Sequence, residues 1–400
     1  MYRTGRPDAI GTNPRILFVT PYPPTPPMGG GRRRQLEILR RLASEGEVTL
    51  ATVSFGARDE HLLPQVVPAG VEILTGRPVR GRLTRKLPLS LQWSWSAELA
   101  GKIRQAHLDN PYSLALVSHA YAFHYTDQLG QIPRMVDAQN VESRVYEQYS
   151  RLPAAHRAKI RRLAGTAGKG FLGAERSARQ ICELEQTVWR AADAVVCVSA
   201  EERAEISEAA PETPTILAPN CPSIPAAGSA PGVRTSCVSF SGSLNYLPNI
   251  DAVTCLAEEV APRLHALVPD VRIVVAGAQP SSRLVSYCSE HNLEVVPNPS
   301  DMAEVIAGTV MACPVRLIAG TRLKILDARD LGLPVVTTSL AAEGLDLEDD
   351  PGVLVRDDPG GLAQGLAEFL EAKSWPPARK SSSWSDSLGP VVDAVRKLTR

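Results

Sequence analysis

Residues 314–344 read PVRLIAGTRLKILDARDLGLPVVTTSLAAEG, and this stretch decides the fold. The apolar run 310–313 just before it predicts the end of a buried strand, and a loop follows. From 322 to 331 leucines recur at helical spacing, and Gly332 supplies the stop signal. A second apolar run at 334–336 predicts another buried strand. Strand, loop, helix and strand in this order form the repeating unit of a parallel sheet.

The start of this helix carries two positive charges. The N–H groups of Gly320 and Thr321 open it, and unpaired N–H groups at a helix start attract anions. Arg322 and Lys324 follow at once, although cations in a first turn oppose the helix dipole. Their presence favours an anion in front of the helix, and Asp327, one turn later, is placed to accept from sugar hydroxyls. The alternative is a solvated helix in which Asp327 is an ion-pair partner.

The same alternation of strand and helix extends over the whole chain. Two halves are predicted, each an α/β Rossmann-like domain with a parallel sheet. The first half contains strand candidates at 15–20, 47–53, 71–74, 114–117, 134–137 and 194–199, and residues 216–220 close it. The second contains strand candidates at 236–241, 271–276, 293–296, 310–313, 334–336 and 352–355.

A glycine-rich turn follows the first strand. Gly29, Gly30 and Gly31 allow the backbone to approach a ligand closely, and Arg32 to Arg34 add positive charge beside them. The turn matches neither the GxGxxG fingerprint nor a P-loop. The alternative is a flexible loop followed by a solvated, basic helix start.

Polar residues stand at the carboxyl ends of further strands, where the ligand crevice of such a sheet opens. His119 follows the strand 114–117 closely, and a packed or capping histidine is the alternative. Asp137 and Asn140 follow the strand 134–137, where Asp137 either contacts a substrate or caps the next helix. Gly242 ends the first strand of the second half.

Several of these motifs together resemble the family-four retaining glycosyltransferases of GT-B fold. The resemblance includes GTRLKILDA at 320–328, GLPVVTT at 332–338, EGL at 343–345, FSGSLNYLPNIDAV at 240–253 and DAQNVES at 137–143. The last run is similar to one in bacterial members that build surface glycans. Two positions depart from the family pattern. Asp327 stands where the family usually has Glu, and Ala319 stands where it has a second acid.

The resemblance implies a role for each candidate residue. Arg322 and Lys324 would hold the diphosphate of a nucleotide-sugar, and Asp327 its ribose. His119 and Asp327 would be the catalytic residues, and Asp137 and Asn140 would lie on the acceptor side. The residues that would bind the donor are Gly29, Gly30, Gly31, Gly242, Gly320, Thr321, Arg322, Lys324, Asp327 and Glu343.

The predicted activity is hexosyl transfer from a UDP-, GDP- or dTDP-linked sugar, with retention of the anomeric configuration and without metal or cofactor. The acceptor is a glycan, a lipid-linked or a small molecule. A nucleotide-sugar epimerase of the same fold and a non-catalytic nucleotide-sugar-binding subunit remain alternatives. A P-loop or simple Rossmann nucleotide enzyme is disfavoured because both fingerprints are missing.

Composition and charge limit the location and partners of the chain. Arg and Lys together number 43, as do Asp and Glu, so the formal net charge is zero and disfavours nucleic-acid binding. Seven scattered cysteines suit a reducing compartment. The N-terminal residues lack the apolar core of a signal peptide, and no apolar run is long enough to span a membrane. These features predict a cytoplasmic protein, with a peripheral position at the inner face of the membrane as an alternative.

The expected division of the chain follows its composition. Residues 1–220 form the acceptor domain, and the Pro-, Ala- and Gly-rich stretch 221–234 is the interdomain linker. By the resemblance to the GT-B fold, the two domains face a central cleft, residues 235–384 form the donor domain, and the final helix within 385–400 crosses back to the first domain. The basic stretch 154–180 is expected to be a solvated loop, with a patch that contacts anionic lipid as the alternative.

Overall fold

The structure, a computed structural model, contains two parallel sheets with helices on their faces. It describes residues 13–26, 29–78, 87–171, 173–224, 236–318, 320–347, 349–372, 374–379 and 382–400.

The first sheet has seven strands in the order β3-β2-β1-β4-β5-β6-β7, and every adjacent pair is parallel. Its strands are β1 (Arg15–Thr20), β2 (Glu47–Val53), β3 (Glu72–Gly76), β4 (Leu114–Ser118), β5 (Arg134–Asp137), β6 (Ala194–Cys197) and β7 (Thr215–Leu217). The strand order reverses between β1 and β4. A crevice for ligands therefore opens there, at the carboxyl ends of the strands.

The described residues of the first half also contain seven α-helices and three short 3-10 helices. The α-helices are α1 (Gly30–Leu42), α2 (Ala57–Val66), α3 (Ala97–Asp109), α4 (Glu142–Arg151), α5 (Ala154–Ala164), α6 (Ala174–Ala191) and α7 (Ala200–Ala209). The 3-10 helices are Leu89–Ser94, Ala120–Thr126 and Gly165–Phe171.

The second sheet has six parallel strands in the order β10-β9-β8-β11-β12-β13. Its strands are β8 (Cys237–Ser243), β9 (Arg272–Ala278), β10 (Glu294–Pro297), β11 (Val310–Cys313), β12 (Val335–Thr337) and β13 (Val353–Val355). The helices are α8 (Leu247–Cys255), α9 (Ala261–Leu267), α10 (Ser282–Glu290), α11 (Met302–Ile306), α12 (Leu323–Asp330), α13 (Ser339–Ala342), α14 (Pro359–Glu371), α15 (Trp384–Ser387) and α16 (Gly389–Leu398). A π-helical turn, Leu256–Val260, connects α8 to α9.

The strand predictions are confirmed: each has an observed counterpart to within two residues at either end. Strands that are covered by helices on both faces read as continuous apolar runs, which makes them easy to recognise in a sequence. In β1, for example, the residues Ile16 to Thr20 are all fully buried.

The prediction of a solvated loop at 154–180 is wrong. These residues form α5, a 3-10 helix and the first part of α6. Ile160, Leu163 and Phe171 are buried in the same apolar cluster as Phe240 and Val275 of the second sheet. The basic residues between these apolar side chains hide their helical spacing in the sequence.

Helix α5 also forms ion pairs with the second half. His156 Nε2 lies 2.6 Å from Asp251 Oδ1 on α8, and Arg316 donates to the same carboxylate at 3.0 Å. Asp251 is fully buried. Burial opposes its ionisation, but the hydrogen bonds from His156 and Arg316 hold the pKa of Asp251 below its ordinary value. The basic stretch thus serves as an interdomain contact, to which Lys159 adds an ion pair with Glu258.

The last helix packs on the first sheet. Leu388, Val391 and Val395 are buried in one cluster with Ile16 and Phe18 of β1. Most of the predicted linker, residues 225–234, and Ala319 lie outside the described residues. Among the described helices, none has the length and apolarity needed to cross a membrane.

Candidate functional site

The carboxyl ends of both sheets meet at one cleft, and the glycine turn of the first half crosses it. A methyl carbon placed on Gly29 would lie 3.0 Å from the Oγ of Ser243, the last residue of β8. A methyl carbon on Gly30 would lie 2.9 Å from Leu323 Cδ1 at the start of α12. The turn therefore touches both donor-side segments that the sequence singled out.

The three glycines form the start of a helix. Helix α1 begins at Gly30, with Gly29 as its N-cap. A methyl carbon on Gly31 would lie 2.5 Å from Tyr22 Oη and 2.8 Å from Gln139 Oε1. Only glycine leaves room for these two side chains, so the close approach comes from packing rather than from a special backbone angle.

Lys324 is a half-buried cation with a neutral hydrogen-bond partner. Its Nζ donates to Asn249 Oδ1 at 2.8 Å and lies 4.0 Å from the centre of the Phe240 ring. A methyl carbon on Gly242 would lie 3.1 Å from this Nζ. Burial lowers the pKa of Lys324 to about 8, and no carboxylate among the described residues forms an ion pair with it. A positive charge in this position favours an anionic ligand.

Arg322 donates most of its hydrogen bonds to backbone carbonyls of the protein. Its guanidinium donates to the carbonyls of Ala341 at 2.8 Å, Glu343 at 2.7 Å and Leu340 at 3.2 Å, and also to that of Gly320. These bonds use four of its five N–H groups. Burial lowers the pKa of Arg322 to about 10, so the side chain stays charged near neutral pH. Arg322 shapes the loops on both sides of α12, and one N–H on Nη1 is left for a ligand.

The helix begins later than expected, and Gly320 and Thr321, which were expected to open it, already have hydrogen-bond partners. Helix α12 begins at Leu323 with Arg322 as its N-cap, so Gly320 and Thr321 precede it. The N–H of Gly320 donates to Glu202 Oε1 at 2.9 Å, and Thr321 Oγ1 accepts from Asn220 Nδ2 at 2.7 Å. Both partners belong to the first half. These two residues therefore dock the donor loop across the cleft.

Asp327 contacts the chain that connects the two halves. Its Oδ1 accepts from the backbone N–H groups of Ser223 at 2.5 Å and Ile224 at 3.1 Å. Burial raises the pKa of Asp327 to about 6. A ribose hydroxyl would therefore have to compete with the N–H groups of Ser223 and Ile224 for the Asp327 carboxylate. Glu343, half-buried on the loop that Arg322 holds, pairs with Arg144 of α4 at 3.4 Å.

His119 lies at the centre of the first half's strand ends. It follows β4, is 6% exposed and has a positive φ of 64°, which a non-glycine residue rarely adopts. Its Nε2 lies 3.0 Å from Tyr22 Oη, and its ring stacks on Tyr121 at 4.9 Å. Burial lowers the pKa of His119 to about 3, against a smaller opposing effect of Asn140. The imidazole is therefore neutral at physiological pH and acts as a hydrogen-bonding group.

The acceptor-side prediction for Asp137 is corrected. Asp137 is fully buried, and its Oδ1 accepts from Arg34 Nε at 2.8 Å and Nη2 at 2.7 Å. It has no surface for an acceptor. It does not cap α4 either, because Glu185 accepts from the first N–H groups of that helix. Asn140 remains at the cleft edge, where its amide donates to Glu142 Oε2 at 2.8 Å.

The sequence left several cleft residues without a role. Tyr22, Gln139 and Asn249 contact the predicted site residues directly. Each follows a strand end within a few residues, which was the signal available for them. The described residues contain no group of three His, Cys, Asp or Glu side chains that could hold a metal ion.

Comparisons with known proteins bear on the second half of the chain and on the fold. Residues 235–372 match the family described as "Glycosyl transferases group 1". The chain is similar in structure to sucrose-phosphate synthase from Thermosynechococcus elongatus, with a TM-score of 0.67, 15% identity and 96% of each chain covered. It is also similar to TarM, with a TM-score of 0.63, 7% identity and coverage of 97% of this chain and 95% of that one.

A third similar structure is HepE from Anabaena in complex with UDP and glucose, with a TM-score of 0.55 and 12% identity, covering 96% of this chain and 94% of that one. No protein with a curated description matches the chain. Two facing Rossmann-like sheets of this kind make up the GT-B fold. The second half carries a group 1 glycosyltransferase domain, and the protein is a glycosyltransferase.

Proposed function

We propose that the protein transfers a hexose from a UDP-, GDP- or dTDP-linked sugar to an acceptor hydroxyl, with retention of configuration and without a metal ion. In this reaction the bond between the anomeric carbon and the diphosphate oxygen breaks. A bond from the anomeric carbon to the acceptor oxygen forms, and the acceptor proton passes to the departing diphosphate. The observation that carries the proposal is Lys324, a half-buried ammonium beside Gly242 with a neutral hydrogen-bond partner.

In this proposal Lys324 stabilises the negative charge that builds on the leaving diphosphate. The glycine turn at 29–31 brings backbone next to the same place, because it touches Ser243 and Leu323. Arg322 contributes mainly by fixing the loops around α12. No carboxylate is needed as a nucleophile in this scheme.

The proposal is tested by nucleotide binding. Lys324→Ala should weaken UDP or GDP binding by roughly tenfold to a hundredfold, since a charged hydrogen bond contributes about 1.5–3 kcal/mol. Titration calorimetry measures the affinity. The control is Lys102→Ala, which removes an exposed lysine paired with Glu98 on α3. Equal affinity in the folded Lys324 variant and in the wild type would refute the assignment.

Turnover distinguishes the remaining alternatives. The protein is incubated with UDP-, GDP- and dTDP-sugars and a panel of acceptors, and proton NMR follows the anomeric signals. We expect an α-linked donor to give an α-linked product. An inverted product would contradict retention, and conversion of one nucleotide-sugar into its epimer would favour the epimerase. Nucleotide binding without any turnover would favour the binding subunit.

We further propose a reducing, cytoplasmic location. The described cysteines that form no disulfide are Cys182, Cys197, Cys221, Cys255, Cys288 and Cys313. Contact of residues 154–180 with an anionic membrane also stays a proposal, for which the exposed Arg162 and Arg176 are the relevant charges. Sedimentation with phosphatidylglycerol vesicles would test it.

A further inference from the structure

A cluster of aromatic rings extends from His119 to the outer surface of the first half. Tyr22 stacks on Trp93 with ring centres 6.3 Å apart, and Tyr121 meets Trp93 edge-on at 5.8 Å. His119 contacts both Tyr22 at 5.8 Å and Tyr121 at 4.9 Å. Phe55 adds an outer ring 6.0 Å from Trp93. The five rings come from four separate segments, because His119 and Tyr121 share one, so the fold assembles them.

The cluster is buried at one end and open at the other. His119 and Tyr121 are 6% and 5% exposed, whereas Trp93 is 40% and Phe55 is 49% exposed. Large aromatic side chains are usually well buried, and exposed apolar faces of this kind mark sites of contact with a ligand. The rings of Trp93 and Phe55 therefore leave apolar surface open to solvent, where a ligand can contact it.

The buried end of the cluster reaches the donor cleft. Tyr22 Oη bonds to His119 and would lie 2.5 Å from a methyl carbon on Gly31. The neighbouring Gly30 lies against Leu323 at the start of α12. A ligand that covers Trp93 would therefore extend along Tyr22 toward the place where the donor sugar would react.

The chemistry of the open end is mixed. Ring faces carry partial negative charge and attract the slightly positive C–H groups of a ligand. Around them stand polar groups: the Arg32 guanidinium lies 5.8 Å from the centre of the Tyr22 ring, and Asp59 accepts from the Phe55 N–H at 2.9 Å. This suits a ligand with one apolar face and hydroxyl groups at its edges. A wholly apolar ligand would leave its own outer face in water.

We propose that this aromatic cluster is the acceptor site and that the acceptor is a carbohydrate whose pyranose ring stacks on Trp93. The inference rests on the proposed transferase function and adds the acceptor class to it. The sugar ring lies on the exposed indole, and its reacting hydroxyl points inward past Tyr22 toward His119.

The test uses the whole protein and saturation-transfer NMR. The probes are maltose, cellobiose and N-acetylchitobiose, with 4-methylumbelliferone as the aromatic comparison, each with UDP present. We expect saturation to reach the ring C–H protons of at least one disaccharide. Trp93→Ala should raise the dissociation constant of that disaccharide by roughly tenfold, and Trp93→Phe should restore part of the affinity.

The matched control is Leu89→Ala, because Leu89 lies on the same 3-10 helix, is 71% exposed and takes no part in the cluster. Its disaccharide affinity should equal that of the wild type. The inference is overturned if no disaccharide contacts the wild-type protein, if only 4-methylumbelliferone does, or if Trp93→Ala binds as well as the wild type. Normal UDP binding in these cases leaves the proposed function standing, whereas loss of UDP binding in the wild type would refute that function itself.

Discussion

At the scale of single residues, two cations that stand two positions apart in the sequence have different roles. Arg322 satisfies four carbonyl groups, while Lys324 bonds to one amide oxygen and lies over an aromatic ring. The two side chains follow the same glycine and look equivalent in the sequence. The difference matters because an arginine whose donors are used positions loops, whereas a lysine with free protons binds ligands.

The pKa of Lys324 predicts a pH dependence. With a pKa of about 8, the ammonium is present below that pH and is lost above it. A bound diphosphate favours the protonated form, so UDP affinity should be steady near pH 7 and fall by up to about tenfold per pH unit above pH 8. Calorimetry between about pH 7 and 9 measures this. Lys324→Arg keeps its charge and should give a flat profile. A flat profile in the wild type would contradict the prediction.

His119 belongs at the same scale, because its environment sets its chemistry. A pKa of about 3 leaves it neutral, so it donates or accepts a hydrogen bond without titrating near pH 7. We expect His119→Ala to lower kcat on the order of a hundredfold, as loss of one oriented hydrogen bond does in other enzymes, with little change in UDP affinity. His124→Ala, in the 3-10 helix that follows, is the control. Unchanged kcat in His119→Ala would remove it from the site.

At the scale of elements, the pair α4 and α5 connects the two halves. Helix α5 brings His156 to the buried Asp251, which Arg316 also contacts. A second connection runs through side chains at the cleft: Arg34 bonds to Asp137 and to Asn220 Oδ1 at 3.0 Å, and Asn220 donates to Thr321. Both links use buried or half-buried polar groups, so their geometry fixes how the donor loop sits on the first half.

The charged contact of α5 predicts a clear loss of stability. Asp251→Ala leaves Arg316 and His156 without their buried carboxylate, and such a loss costs about 3–5 kcal/mol of the free energy of unfolding. Glu294→Ala is the control, because Glu294 pairs with Arg272 at the surface and should matter little. Urea unfolding followed by circular dichroism compares the two. Similar midpoints for both variants would show that the buried pair does not hold the halves together.

At the scale of the whole molecule, the last residues of the chain stabilise its first strand. Leu388 is 1% exposed and packs in the cluster around Ile16 and Phe18. Leu388→Ala should lower the free energy of unfolding by about 2–5 kcal/mol through lost contacts and a cavity. Asp393→Ala, on the outer face of α16, should have almost no effect. Calorimetric melting of both variants checks this, and equal melting temperatures would contradict the packing.

The sequence by itself determined the two-sheet frame. The central strands β1, β4, β5 and β11 are almost entirely buried, so the apolar runs that predicted them depend on local composition alone. It also indicated the helix that carries Lys324 and the glycine turn at 29–31, because both follow strand ends. These features are set by residues that are close together along the chain.

Only the tertiary structure decided which predicted residues face the cleft. The carboxylate of Asp137 accepts hydrogen bonds from Arg34, and that of Asp327 accepts from the backbone of the connecting chain. In both cases the partner lies more than a hundred residues away in the sequence. Trp93 and Phe55 come from different segments and meet only in the folded protein. Hydrogen bonds and stacking between distant segments leave no periodic trace in a sequence, so the roles of these side chains depend on packing that the order of residues does not reveal.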